Sequence, residues 1–270
     1  MPKPNFALIN DYLRNYRGLV RSLMRGVSAL LVSCGLLTEG ASAQEDQMLP
    51  PGNYRLEMIM ASITRVPVFG TSKSASKSIS LVEIKRDGAG LIQTHKTCDF
   101  RVVDESKFIK MIFPDKFVAA LGNHSYPLQI DNDGQGWRYR ADLGVERIGY
   151  KSNGDDAALP SKFDDPAVYD WDGDGQPGAT VKLSVPLLPE GELYVVQRGH
   201  SILSGKVVHR GRVEGNIEVR NFGQKVIGAK PNFLARSPEI VPDVKESRFV
   251  LESIAAGSSC DTLKAAMAKP

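Results

Sequence analysis

The stretch LSGKVVHRGRVEGNIEVR, residues 203–220, decides how this chain is read. Its second half places Val213, Gly215, Ile217 and Val219 on one face, and Arg212, Glu214, Asn216, Glu218 and Arg220 on the other. Alternation with a period of two and one polar face is the pattern of an antiparallel strand lying on a core. The first half echoes it: Leu203-Ser204-Gly205-Lys206-Val207 runs against Val213-Glu214-Gly215-Asn216-Ile217, with Arg210-Gly211 as a turn signal between them. The two arms read as one hairpin. A glycine at the same place in each arm predicts a sharp bend, as at the corner of a barrel.

The same pattern extends in both directions. In WRYRADL, residues 137–143, Trp137, Tyr139, Ala141 and Leu143 oppose Arg138, Arg140 and Asp142. In TVKLSV, residues 180–185, Val181, Leu183 and Val185 oppose Thr180, Lys182 and Ser184. Asp87-Gly88, Asp133-Gly134, Asn153-Gly154 and Glu190-Gly191 add further turn signals. The alternation predicts about ten strands between residues 53 and 252. Helix signals are few. FPDKFVAALGN (113–123) has Pro114 at its start and Gly122 past its end, and SSCDTLKAAMA (258–268) has Ser258 or Ser259 as a cap. The expectation is a single all-β domain over residues 44–270, an antiparallel β-barrel or strongly curved β-sandwich with one or two short helices. Barrel is preferred, because a disulfide would join its ends.

That disulfide follows from the cysteines and the leader. Residues 1–43 carry five basic side chains against Asp11 and Glu39, then the apolar run GVSALLVSCGLL (26–37) and Ala41-Ser42-Ala43. This is the layout of a secretory signal peptide, with an apolar run too short to span a bilayer. Leu31-Val32-Ser33-Cys34 also resembles a bacterial lipobox, which would lipidate Cys34 and anchor the chain. The run continues through Leu36 and Leu37, so a soluble exported protein, periplasmic or secreted, is preferred. Either cleavage leaves Cys98 and Cys260 as a pair in an oxidising compartment, and a disulfide is expected between them. Beyond residue 43 acidic and basic side chains are equal in number, with no basic cluster to neutralise phosphates, so nucleic acid is not an expected partner.

The one chemical motif is YDWDGDGQPG, residues 169–178. Asp170, Asp172 and Asp174 alternate and Gly175 follows them. The segment resembles the DxDxDG calcium loops of EF-hands, dockerins and thrombospondin type 3 repeats, over about a dozen residues and no more. The resemblance implies Ca2+ held by the three carboxylates and the carbonyl of Gln176. It departs from an EF-hand at Pro177 and at Val181, where a bidentate carboxylate belongs, so Asp164 or Asp165 is expected to complete the set. Seven aspartates stand between residues 155 and 174 against Lys162 alone, a density that needs solvation or a shared cation. DNDGQGW (131–137) echoes the motif through Asp131 and Asp133, but a hairpin turn explains it.

His95, His124, His200 and His209 have no metal-ligand spacing. Gly199-His200-Ser201 lacks the closing glycine of a nucleophile elbow, so no catalytic residue is assigned. Met58, Met60, Met111, Phe113, Phe117 and Leu121, with Phe108, Ile109, Ile112 and Val118, read as core in preference to the lining of a ligand cavity. The expected function is a non-enzymatic β-domain of the bacterial cell envelope. It would be stabilised by structural calcium and a disulfide, and would bind an envelope partner or a ligand. The alternatives are a lipocalin-like carrier of an apolar small molecule and a hydrolase whose site does not show in the sequence.

Overall fold

The computed structural model describes residues 48–267 except 67–69, 89, 105–109, 153, 156 and 185–189. The signal-peptide and lipobox segments, Phe108, Ile109 and Asn153 lie outside the described residues. The strands are β1 (Gly52–Val66), β2 (Gly70–Asp87), β3 (Gly90–Asp104), β4 (Lys110–Ile112), β5 (Asn123–Asn132), β6 (Trp137–Ile148), β7 (Ala179–Ser184), β8 (Gly191–His209), β9 (Arg212–Lys230) and β10 (Glu239–Ser253). Two short helices, α1 (Asp115–Ala120) and α2 (Cys260–Met267), complete the fold with a single helical turn at Asn232–Leu234. All strand pairs are antiparallel. Eight strands close into a ring in the order β1-β2-β3-β5-β6-β8-β9-β10 and back to β1, an up-and-down barrel. The small β4–β7 pair attaches to the first residues of β8.

The glycine-bearing hairpin forms as its sequence implies: Leu203 faces Ile217, Gly205 faces Gly215 and Val207 faces Val213. A side chain cannot fit at that crossing, because a Cβ on Gly215 would lie 2.2 Å from the Ser204 carbonyl oxygen and 2.7 Å from the Phe249 ring. Closure is by hydrogen bonding of β1 to β10, from Tyr54 opposite Ser253 to Arg65 opposite Glu239. Cys98 and Cys260 are disulfide-bonded. The bond ties the early strand β3 to the last segment, α2, but contrary to the expectation from sequence it does not join the barrel's ends. It clips α2 to the outside of β2 and β3, where Leu263 packs with Ile79 and Cys98. Ser259 caps that helix: its hydroxyl accepts from the Thr262 N–H at 3.3 Å, and its own N–H donates to the Thr262 hydroxyl at 2.8 Å.

The interior has two halves. One end is filled by Tyr54, Leu56, Val82, Ile84, Tyr139, Leu203, Ile217, Phe249 and Leu251, all almost fully buried. At mid-height three ring strands carry an extra residue in their ladders, β3 at Cys98, β6 at Leu143-Gly144 and β9 at Asn221-Phe222, and β10 carries a larger bulge over residues 244–247. Gly144 takes φ of 65° and Asn221 48°, the left-handed geometry such bulges use. The β10 bulge is sealed by Ser247, whose hydroxyl accepts from the Ala61 N–H and donates to the Asp243 carbonyl. Beyond the bulges the barrel becomes hollow.

Candidate functional site

The hollow half is a cavity of about 510 Å³. One wall is apolar: Phe100 from β3, Met111 from β4, Phe113 beside α1, Phe117 in α1, and Val181 from β7. Phe100, Phe113 and Phe117 pack edge to face, with ring centroids of Phe100 and Phe113 4.7 Å apart and of Phe113 and Phe117 5.0 Å apart. A second wall, from β1 and β2, carries hydroxyls that satisfy one another: Ser74 lies 2.9 Å from Ser62 and 3.0 Å from Thr64, oxygen to oxygen. The third wall, from β6, β8 and β9, carries Glu146, Gln197 and Gln224. Exposed Phe233 and Arg236 stand among the lining residues on the segment leading into β10.

Of the residues read from sequence as core, Met60, Met111, Phe113, Phe117 and Leu121 line this cavity, whereas Met58 packs on the filled core and Ile112 is exposed. Glu146, Gln197, Gln224 and Arg236 carried no signal in the sequence. Protein encloses the Glu146 carboxyl although the cavity leaves it accessible, and this desolvation raises its pKa against the smaller opposing pull of His124. His124 Nε2 lies 2.8 Å from the Leu121 carbonyl oxygen, which fixes that nitrogen as a donor.

The acidic loop lies beside the cavity. Ligand oxygens of Asp170, Asp172 and Asp174 all fall within 4.8 Å of one another, so the group could hold a metal ion. The backbone arranges them. Asp170 accepts the Asp174 and Gly175 N–H groups at 3.0 and 2.9 Å, and Asp174 accepts that of Gln176 at 2.8 Å. Gly173 and Gly175 take φ of 70° and 89°, which the tight turn requires. Asp172 is 93% buried by its 7% exposure; one of its oxygens accepts the Thr180 N–H at 2.9 Å, while the other, Oδ1, has no partner among the described residues. Burial, and then the charges of Asp174 and Asp170, raise its pKa against that hydrogen bond. An orphaned buried carboxylate oxygen facing two other carboxylates fits a hard cation with oxygen ligands.

Asp165 is not drawn into this group; its carboxylate accepts the Ala167 N–H. The Gln176 side-chain oxygen accepts from Lys230 Nζ at 3.3 Å. The weaker echo is a hairpin turn, in which Asp133 is taken up by Arg138 and by the Gln135 N–H. His200 Nε2 lies 2.6 Å from Asp142 Oδ1, but among the described residues no serine hydroxyl hydrogen-bonds to either.

Two side chains tie the loop to the cavity wall. Trp171 packs edge to face on Phe117 at 5.2 Å between centroids, and Lys116 Nζ donates to the Gly173 carbonyl at 2.7 Å. Among the described residues no helix is long and apolar enough to cross a membrane. The disulfide is compatible with an oxidising, exported compartment. Comparison with known protein families, curated proteins and solved structures gives no match to this chain.

Proposed function

We propose that this chain is an exported, non-enzymatic protein of the bacterial cell envelope that carries an apolar small molecule in the hollow half of its barrel. The observation that supports this reading over a general partner-binding domain is the cavity of about 510 Å³. It falls within the roughly 300–1,000 Å³ of small-molecule sites and has their mostly apolar lining with a few polar groups. The bulges support it too, because they open the barrel at the height where a simple alternating strand would have gone on filling it.

In this reading the Asp170–Asp174 loop takes one calcium ion as a structural brace, like the DxDxDG loops it resembles. The protein works in water: β9 turns Arg212, Glu214, Glu218 and Arg220 outward while apolar side chains point in, the reverse of a membrane barrel. Contact with a membrane then requires lipidation at Cys34. The test is native mass spectrometry of protein purified from its host, followed by organic extraction. A bound small molecule released by extraction is the expected result. An empty protein that also fails to bind 1-aminoanthracene, a neutral apolar dye, would overturn the reading.

A further inference from the structure

We infer that the molecule carried in the barrel bears a basic nitrogen, and that Glu146 is its counter-ion. This rests on the carrier reading and names the ligand's chemistry. Three polar side chains form a strip across adjacent strands of one wall. Gln197 of β8 stands opposite Ile148 of β6 and opposite Gln224 of β9, and Glu146 lies two residues from Ile148 on the same strand face. None of the three side chains makes a hydrogen bond or ion pair within the described residues, and the titratable neighbours that interact with Glu146 are His124 and Tyr126 of β5. The hydroxyls of the opposite wall differ in this respect, since they bond to one another.

In an apolar cavity the few polar groups on the wall set the chemistry and orientation of the ligand, and three acceptors on one side of that space call for a donor. A protonated amine supplies both the charge for Glu146 and N–H groups for the amide oxygens of Gln197 and Gln224. Burial already favours the proton on Glu146, so an arriving cation would displace that proton to solvent and leave the carboxylate paired. The cavity has a second charged residue, Arg236, which would suit an anionic head. Arg236 stands apart from the strip, on the segment leading into β10, whereas Glu146 stands in line with two amide side chains that can bond the same head.

The experiment compares three probes with one ten-carbon chain and different heads: decylamine, decanol and decanoic acid, titrated calorimetrically below their micellar concentrations. Decylamine is expected to bind tightest. Glu146→Gln is expected to weaken decylamine about tenfold or more while leaving decanol within about twofold, which also shows that the variant is folded. Tightest binding by decanoic acid, with the preference erased by Arg236→Gln, overturns the inference in favour of an anionic head. Equal binding of all three probes overturns it too but leaves the carrier reading intact. Binding of none removes both.

Discussion

Replacing Gly215 by alanine tests the barrel directly, because the expected effect can be worked from three contacts. The new Cβ would lie 2.2 Å from the Ser204 oxygen, 2.5 Å from the Gly205 Cα and 2.7 Å from Phe249 Cε1. Two of these are backbone atoms of the paired strand, so relief requires β8 and β9 to part, close to the almost fully buried Phe249. Overpacking of this kind costs about 1–3 kcal/mol, and backbone obstruction places Gly215→Ala near the upper end. For a domain of this size, 3 kcal/mol lowers the melting temperature by roughly 6–12 °C. Gly199→Ala in β8 is the control. Its Cβ would meet only Phe222, at an ordinary 3.6 Å, and the residue does not have positive φ. There the reduced freedom of the unfolded chain should give a change between zero and about 1 kcal/mol in the stabilising direction. Thermal melts followed by far-ultraviolet circular dichroism read both variants. Equal melting temperatures for Gly215→Ala and the parent would refute the close crossing of β8 and β9 at this pair.

Calcium added at 1 mM to chelator-treated protein should raise the melting temperature by about 3–5 °C if the dissociation constant is near 0.1 mM, through roughly 1.4 kcal/mol of linkage. It should also change the fluorescence of Trp171, and Asp172→Asn should remove most of both responses; no change up to about 10 mM would void the calcium assignment. Replacing Cys98 and Cys260 together by alanine opens a loop of 162 residues and should cost up to about 5 kcal/mol in urea melts. Burial, and secondarily His124, lowers the His95 pKa from 6.5 to about 3. The unfolded chain therefore binds a proton below pH 6.5 that the folded chain refuses, so this contribution is complete above pH 6.5 and falls as the pH drops towards 3. At pH 5.5 the loss is about 1.4 kcal/mol, and His95→Phe should flatten the urea midpoint over that range. An unchanged pH profile in the variant would show that His95 is not the group responsible.

The filled half of the barrel was legible because period-two alternation is a local property. Tyr139 and Ala141, or Val213 and Ile217, declare their face within a few residues, and all four are buried as read. The acidic loop was legible for the same reason, since its three aspartates and glycine lie within six positions. The hollow half was not. In β6, extending the parity of Tyr139 and Ala141 would put Glu146 outside, but the bulge at Leu143-Gly144 reverses the faces and turns Glu146 and Ile148 inward. The bulge at Asn221-Phe222 does the same to Gln224 and Val226 in β9. A single residue in left-handed geometry in each of β6 and β9 thus hides Glu146 and Gln224 from a reading by alternation, whereas Gln197 keeps the parity of Leu203. The role of the disulfide was misjudged because sequence separation says nothing about which side of a strand a cysteine faces: Cys98 lies on the face opposite the inward Leu91 and Gln93 and meets α2 there.

The contact of Trp171 with Phe117 makes the acidic loop and the barrel cavity neighbours through a single aromatic pair, and the hydrogen bond from Lys116 to Gly173 adds a second strut between them. Strand β7 belongs to both as well, since the Thr180 N–H bonds Asp172 and the next residue, Val181, faces the cavity. If the proposed ion and cargo are coupled through these struts, thermodynamics makes the influence mutual: whatever factor an ion adds to the affinity of the cavity, a molecule in the cavity must add to the affinity for the ion. A barrel built this way would couple its hold on a cargo to the calcium level of its surroundings, in the direction set by the sign of that coupling. Titrating decanol with and without 1 mM calcium, and calcium with and without decanol, closes that cycle. Two unequal factors would mean that the four measurements do not describe one equilibrium, and a shared factor of one would mean that the struts carry no signal.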